Sequence, residues 1–282
     1  MLHSGKILLL ALGVALALAA PARGQTISTE LFAKQNLTAE DQQQIETFAL
    51  ANLDRLQTGD ASARRTSRRA LLTPLQSPAT SATFRLAYSR LTVPPLERLS
   101  QSDEVDVATS AILVLGWMAT DDAVDVLLTH LRSEKETARY GAASGLRRTF
   151  ILSTSAQSAA PAATVWKAVR RMTAALPTES SPYVVRAMVS ALIASPRETA
   201  GVELAEALNA RLSLPLAEDA VTNPNMHFLV DAYIAAAFDL RNDLIQPDQN
   251  NQDLLDATVE LGPGTWSGAF ACTRWTRKGG WN

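Results

Sequence analysis

The acidic run Asp121–Asp125 is the segment of this 282-residue sequence that most nearly matches a metal-binding pattern. Its order is Asp-Asp-Ala-Val-Asp, and carboxylates at this spacing on one helical turn could bridge a magnesium ion to phosphate oxygens. However, the run is predicted to open a helix, where acidic side chains complement the N-terminal dipole. No second acidic motif pairs with it. The run is therefore predicted to start a helix, and no metal site is predicted.

Side chains that usually carry out catalysis or bind metals are sparse in the rest of the sequence. Beyond the first 24 residues the histidines are His130 and His227, and Cys272 is the only cysteine. His227 and Asp231 share a helical face and could supply two metal ligands, but Cys-x-x-Cys, His-Glu-x-x-His and Gly-x-Ser-x-Gly patterns are absent. No catalytic residue and no cofactor site is predicted. A binding role is favoured over an enzymatic one.

Charge is distributed unevenly along the chain. Residues 61–100 hold seven arginines against Glu97, whereas residues 200–261 hold eleven acidic residues against Arg211 and Arg241. The whole sequence has a formal charge of −2, which argues weakly against nucleic-acid binding. This uneven distribution of charge favours two solvent-exposed faces that carry unequal charge. It leaves open a salt-sensitive self-association, in which the arginine-rich part of one molecule meets the acidic part of another.

Two groups of residues are candidates for contact with a partner. The first is a pair of arginine doublets on one predicted helix, which could bind an acidic protein or peptide. The second consists of tryptophans in a basic C-terminal segment that contains no acidic residue. The candidates are Arg64, Arg65, Arg68, Arg69, Trp275 and Trp281.

The C-terminal segment 262–282 differs in kind from the rest of the chain. It opens with Gly262-Pro263-Gly264, which cannot continue a helix. Two interpretations stay open. The segment could fold back and cap the last helices with Trp266 and Trp275, or it could project as an aromatic and basic arm for a partner.

Helices must position these side chains, because strand patterns are nearly absent. Apolar residues recur at helical spacing from Ile45 to Leu56, and Thr38 with Asp41 resembles a capping box. Prolines mark most of the expected connections, including the pair Pro94-Pro95. Further helices are predicted at 62–75, 81–91, 103–119, 121–131, 134–150, 162–176, 181–194, 196–212, 225–243 and 249–261.

Three of the helical segments repeat one another. Val107–Leu115, Ala138–Leu146 and Val185–Ile193 each place small apolar residues four positions apart on one face, so each can pack against a copy of itself. The positions predicted to be buried between stacked helices are Ala111, Leu115, Ala142, Leu146, Val189 and Ile193. A shorter helix precedes the first two segments, which gives a period of 31 or 32 residues from Ala111 to Ala142 and from Leu99 to Leu131.

This pattern resembles the HEAT-like repeats, particularly their short form of about thirty residues. The matching dipeptides are Val185-Arg186 and Ala138-Arg139, with an echo in Phe84-Arg85, whereas the first segment has Ala108 in place of arginine. The stretch 153–163 interrupts the pattern with serines and alanines. The resemblance covers residues 62–212. It implies an all-α fold, a right-handed α-solenoid of helical pairs that we place at 25–261. An irregular helical bundle is the alternative.

Residues 1–24 have the composition of a secretory signal peptide. Lys6 is followed by the apolar stretch Ile7–Ala20, and small residues lead to a cleavage site after Ala22 or Gly24. The apolar stretch is shorter than the roughly 20 residues that a membrane-spanning helix needs. A periplasmic or secreted protein without stable membrane insertion is therefore predicted.

A repeat architecture presents a surface rather than a reaction centre. The sequence accordingly predicts an exported scaffold whose concave helical face binds a protein or peptide partner, with no nucleic acid involved. Two alternatives remain open. One is an envelope enzyme or enzyme subunit that resembles the phycobilisome-lyase branch of HEAT-like proteins, and the other is a self-associating structural component of the envelope.

Overall fold

The structure is a computed structural model that describes residues 27–155, 157–196, 201–212 and 234–236. Within these residues it is helical and contains no strand, which confirms the all-α class for this part of the chain. A 3-10 turn at Leu176–Thr178 lies between the eighth and ninth α-helices. The helices are α1 (Thr29–Ala33), α2 (Ala39–Thr58), α3 (Ala61–Gln76), α4 (Ala82–Ser100), α5 (Val105–Met118), α6 (Asp121–His130), α7 (Glu136–Thr154), α8 (Ala162–Ala175), α9 (Pro182–Ile193) and α10 (Gly201–Leu212).

The helices lie in two layers that follow the order of the chain. In the odd-numbered layer, α3, α5, α7 and α9 pack side by side. In the even-numbered layer, α2, α4, α6, α8 and α10 do the same, and most helices that are adjacent in sequence pack across the two layers. Each helix is therefore covered on the side that faces the other layer and exposed on the opposite side.

The core between the layers contains nearly all the apolar positions expected there. Leu115 of α5 and Leu146 of α7 are fully buried, with Ala111, Ala142 and Val189. Ile193 was expected to be buried as well, but it is half-buried because it is the last residue of α9, where fewer neighbours surround it. The helical periodicity thus predicted the core correctly, except that it overestimated the burial of Ile193 at the end of α9.

The capping box expected at Thr38 and Asp41 is present at the start of α2. The backbone N–H of Asp41 donates to Thr38 Oγ1 at 3.2 Å, and the backbone N–H of Thr38 donates to Asp41 Oδ2 at 3.0 Å. Two N–H groups that lack helical partners are satisfied in this way. The predicted helix start is confirmed.

Helix α4 differs from the expectation that Pro94-Pro95 separates two helices. It continues from Ala82 to Ser100 through both prolines. Val93 and Leu96 are buried on the same side as Tyr88, so apolar burial runs unbroken along the helix. Pro94 lies on the exposed side, where water can satisfy the backbone carbonyls that lose their N–H partners. Packing therefore outweighs the local preference of proline.

Ser158 and Ala159, within the stretch that interrupts the sequence pattern, close over the turn between α5 and α6. The backbone N–H of Ala159 donates to the carbonyl oxygen of Ala119 at 2.9 Å, and Ser158 Oγ donates to the same oxygen at 3.2 Å. Ala119 has a φ of 50°, a left-handed conformation that ends α5. The polar residues that interrupt the sequence pattern thus satisfy the end of a neighbouring helix.

Ion pairs connect successive helices of the odd-numbered layer. Arg139 of α7 donates to Glu179, which precedes α9, at 2.7 Å from Nε and 3.0 Å from Nη2. Arg64 of α3 donates from Nη1 to Glu104, which precedes α5, and each pair spans 40 residues of sequence. Helix α5 has Ala108 in place of such an arginine. Arg139, one of the arginines of the sequence motif, therefore joins one helical pair to the next.

The remaining predicted segments lie outside the described residues. These are the signal peptide at 1–24, nearly all of the helices predicted at 225–243 and 249–261, and the C-terminal segment 262–282. In the part of the chain that is described, no helix combines the length and the apolar character needed to cross a bilayer.

Candidate partner-binding groove

A groove runs along the exposed side of α5, α7 and α9 in the odd-numbered layer. Its volume is about 860 Å³, which falls within the range of about 300–1,000 Å³ that ligand pockets occupy. The lining side chains recur at one-turn intervals, such as Leu113 and Trp117 on α5 and Tyr140 and Ser144 on α7. Helix stacking, rather than a loop, builds this surface.

Glycines form the floor of the groove because they let two helices meet backbone to backbone. A Cβ added to Gly116 of α5 would lie 2.5 Å from the Cα of Gly145 of α7. One turn away, a Cβ on Gly141 would lie 3.0 Å from Cγ2 of Ile112. Larger side chains at Gly116 or Gly145 would force the helices apart. The close approach keeps the floor low and leaves the neighbouring side chains to form the walls.

One wall contains a pair formed by Trp117 and Arg148. The guanidinium carbon of Arg148 lies 4.2 Å from the centroid of the Trp117 ring, within the range of a cation–π interaction. Burial lowers the pKa of Arg148, and the positive charge of the adjacent Arg147 lowers it further. Arginine stays protonated despite these effects. The groove therefore carries two adjacent positive charges against an aromatic surface.

Buried Arg85 of α4 holds the backbone that carries Trp117. Its Nη1 donates to the carbonyl oxygen of Trp117 at 2.7 Å, and its Nη2 donates to that of Leu75 at 2.8 Å. Both carbonyls belong to the last turns of helices, where the dipole favours a cation. Burial lowers the pKa of Arg85 to about 10, so the side chain is charged at neutral pH. Arg85 thus ties the ends of α3 and α5 together and fixes the position of Trp117.

Exposed apolar side chains line the same groove. Leu113 is 43% exposed, Tyr140 is 50% exposed and Tyr183 is 38% exposed. Contiguous apolar surface of this kind marks interaction sites in soluble proteins. The groove combines such surface with the Arg147 and Arg148 charges, a composition that is typical of protein-binding sites.

The four candidate arginines of α3 divide into two pairs. Arg64 binds Glu104, and Arg68 donates to Ser110 at 3.2 Å and lies 3.9 Å from Asp106. Both are therefore engaged with α5. Arg65 and Arg69 are exposed and remain candidates for contact with a partner. They do not line the groove. The candidates Trp275 and Trp281 lie outside the described residues.

The acidic run at Asp121 opens α6, as expected, and its side chains bind the neighbouring helix. Asp121 accepts a hydrogen bond from Thr164 Oγ1, and Asp125 pairs with Lys167, both of which belong to α8. No cluster of three or more metal-binding side chains occurs among the described residues. The acidic run thus serves the contact between α6 and α8.

His130 is a buried histidine with a hydrogen-bond partner. Its Nε2 lies 2.7 Å from Ser100 Oγ, and Ser100 Oγ donates to the carbonyl oxygen of Glu97 at 2.6 Å. The serine proton is therefore used by the backbone, and the histidine is the donor to Ser100. Burial lowers the pKa of His130, an effect that the nearby Glu97 charge partly opposes. The pair is structural and has no accessible nucleophile.

We expect acidification to destabilise the protein through His130. Its pKa is lowered in the folded state, so the unfolded state takes up the proton first and stability falls as the pH drops below about 6.5. The slope cannot exceed about 1.4 kcal/mol per pH unit for one proton. Denaturant titrations of the wild type and His130→Gln between pH 7.5 and 5 measure it. Identical pH dependence in both proteins would contradict the assignment.

Sequence reasoning missed the aromatic residues of the groove. Trp117 and Tyr140 are each next to a glycine in the sequence, Gly116 and Gly141, and both line the groove. The sequence does show an aromatic residue on the solvent-facing side of each of two successive repeated helices, and this pattern could have indicated the groove. The Arg147-Arg148 doublet is visible in the sequence, but its proximity to Trp117 depends on the stacking of α5 against α7.

Comparisons with other proteins give no family assignment. No protein-family model and no curated protein matches the sequence. Among solved structures, the chain is similar to an engineered protein whose crystal structure comes from the Northeast Structural Genomics Consortium, with 18% identity and a TM-score of 0.40. The match covers 79% of this chain and 97% of that one. Its TM-score is too low to assign a shared fold.

Proposed function

We propose that this chain is an exported scaffold that holds a protein or peptide partner in the groove of α5, α7 and α9. The observation that carries this proposal is the coincidence of exposed Leu113 and Tyr140 with Arg147 and the Arg148–Trp117 pair in one groove. Tyrosine, tryptophan and arginine dominate the binding energy of many protein interfaces. A preformed groove of this composition suits binding without requiring a catalytic group.

We further propose that the helical pairs form a right-handed HEAT-like α-solenoid. Two features support this architecture. Odd- and even-numbered helices stack in chain order, and the link from arginine to the next unit recurs at the same 40-residue spacing. In such arrays each unit contacts its neighbours, and the stacked helices offer one elongated binding surface.

Capture of the partner tests the binding role. Tagged protein is to be recovered from its native cells after chemical crosslinking, as wild type, Tyr140→Asp and Leu86→Asp. Tyr140 and Leu86 are 50% and 42% exposed on opposite layers, so neither change disturbs the core. We expect one dominant partner with the wild type and with Leu86→Asp, and its loss with Tyr140→Asp. Equal recovery with both variants would contradict the proposal, and recovery of further copies of this chain alone would indicate self-association.

Export is expected to remove the N-terminal segment. The apolar stretch Ile7–Ala20 and the small residues after it predict a mature protein that begins at Arg23 or Gln25. N-terminal sequencing of the protein from fractionated native cells measures this. Recovery of uncleaved protein in the membrane fraction would contradict the proposed location.

A further inference from the structure

We infer that the groove binds an extended peptide segment with an apolar part against Trp117 and Tyr140 and carboxylates against Arg147 and Arg148. This inference rests on the proposed function and specifies the chemistry of the partner. The groove, the distribution of its charges and its dimensions support it separately.

The charges at one end of the groove form no ion pair with a carboxylate among the residues that the structure describes. Arg147 is exposed and Arg148 is half-buried. The two side chains are adjacent in sequence and their positive charges repel, and Arg148 lies over the Trp117 ring. A carboxylate from a partner would relieve this repulsion and could accept hydrogen bonds from either guanidinium.

Away from the doublet, the groove is lined by the Glu136 carboxylate and by Arg186 of α9. Glu136 lines it at the first turn of α7, eleven residues before Arg147, which corresponds to about 16 Å along a helix. A uniformly anionic polymer would meet Glu136 and lose energy there. The positions of Glu136 and of the arginine doublet therefore favour a segment with acidic residues near Arg147 and Arg148 and apolar residues over Leu113 and Tyr140.

The dimensions of the groove suit an extended chain. Glu136 and Arg147 are separated by about 16 Å along α7. An extended peptide with a rise of about 3.1 Å per residue covers that distance with about five or six residues. The groove volume of about 860 Å³ is likewise suited to a short segment rather than to a folded domain.

Fluorescence anisotropy with two matched peptides tests the inference on the full-length mature protein. The probe is fluorescein-labelled Pro-Leu-Pro-Leu-Pro-Glu-Glu, and its twin carries Gln-Gln at the end. We expect the acidic probe to bind about tenfold more tightly than the neutral twin at low salt. The double substitution Arg147→Gln and Arg148→Gln should abolish this preference, with an unchanged melting temperature as the check on folding.

The doublet Arg170-Arg171 supplies the matched control. Both residues are exposed on α8, in the even-numbered layer, so Arg170→Gln with Arg171→Gln removes the same charge away from the groove. We expect this variant to keep the tenfold preference. An equal loss in both double variants would show that net charge, rather than the groove, binds the probe, and would overturn the inference.

Two further outcomes would also overturn it. One is equal binding of the acidic and neutral peptides, or binding of neither at millimolar concentration. The other is tighter binding of a labelled dT12 oligonucleotide than of the acidic peptide, which would indicate stacking of bases on Trp117 and Tyr140. The crosslinking capture with Tyr140→Asp measures the proposed function independently. If that variant lost the partner while the acidic probe failed to bind, the scaffold role would still be supported and only the inferred peptide chemistry would be wrong.

Discussion

Replacing Arg139 by alanine should lower the free energy of unfolding by about 3–5 kcal/mol. The substitution removes both hydrogen bonds to the Glu179 carboxylate, whose side chain is 5% exposed, and leaves that charge buried without its cation. The backbone N–H of Ser181 still donates to Glu179 at 2.8 Å, which favours the lower part of this range. Urea titration at pH 7 followed by circular dichroism measures the loss.

The pH dependence of this effect has a definite sign. Burial by itself raises the pKa of Glu179, but hydrogen bonds from Arg139 and from the Ser181 backbone outweigh it and hold the pKa below its ordinary value. The stability from this carboxylate is therefore present above the unfolded pKa of about 4.3 and is lost as the pH falls through the folded pKa. The difference between wild type and Arg139→Ala should shrink below about pH 4.3.

Exposed Arg132 is the matched control, since Arg132→Ala removes the same side chain near the start of α7 without breaking a described ion pair. It should change stability by less than about 0.5 kcal/mol. If Arg139→Ala were equally mild, the link between α7 and the start of α9 would not contribute to stability.

Replacing Leu146 by alanine should cost about 2–5 kcal/mol. Leu146 is fully buried between the layers, so the substitution removes apolar contacts and leaves a cavity among helices that stack on both sides. The same titration measures the loss. Leu86→Ala is the control, because Leu86 is 42% exposed and loses little contact when shortened. Similar small losses for both leucines would mean that α7 does not pack as described.

Helix positions followed from the sequence wherever apolar periodicity and helix-start signals agreed. The expected segment 162–176 corresponds to α8 at Ala162–Ala175, and 121–131 corresponds to α6 at Asp121–His130. Local patterns suffice there because the buried stripe and the first-turn residues lie within the same few turns. The prediction was wrong at α4, where Pro94-Pro95 signalled a break that the buried face overrides.

The groove was much harder to predict than the helices. Its walls bring Trp117 of α5 beside Arg148 of α7, and its floor depends on contact between Gly116 and Gly145. Such contacts depend on how two helices cross, which periodicity within one helix does not determine. Charge clustering alone selected four arginines on α3, but Arg64 and Arg68 of that set bind α5.

We propose that the groove of the odd-numbered layer is the surface that holds the partner. Photocrosslinking in living native cells tests this proposal, with benzoylphenylalanine placed at Tyr140 in the groove or at Leu86 on the even-numbered layer. The two positions are 50% and 42% exposed, so they differ in location rather than in accessibility. We predict a single adduct of defined mass from position 140 and none from position 86. Adducts of equal yield at both positions, or no adduct at position 140, would contradict the proposal.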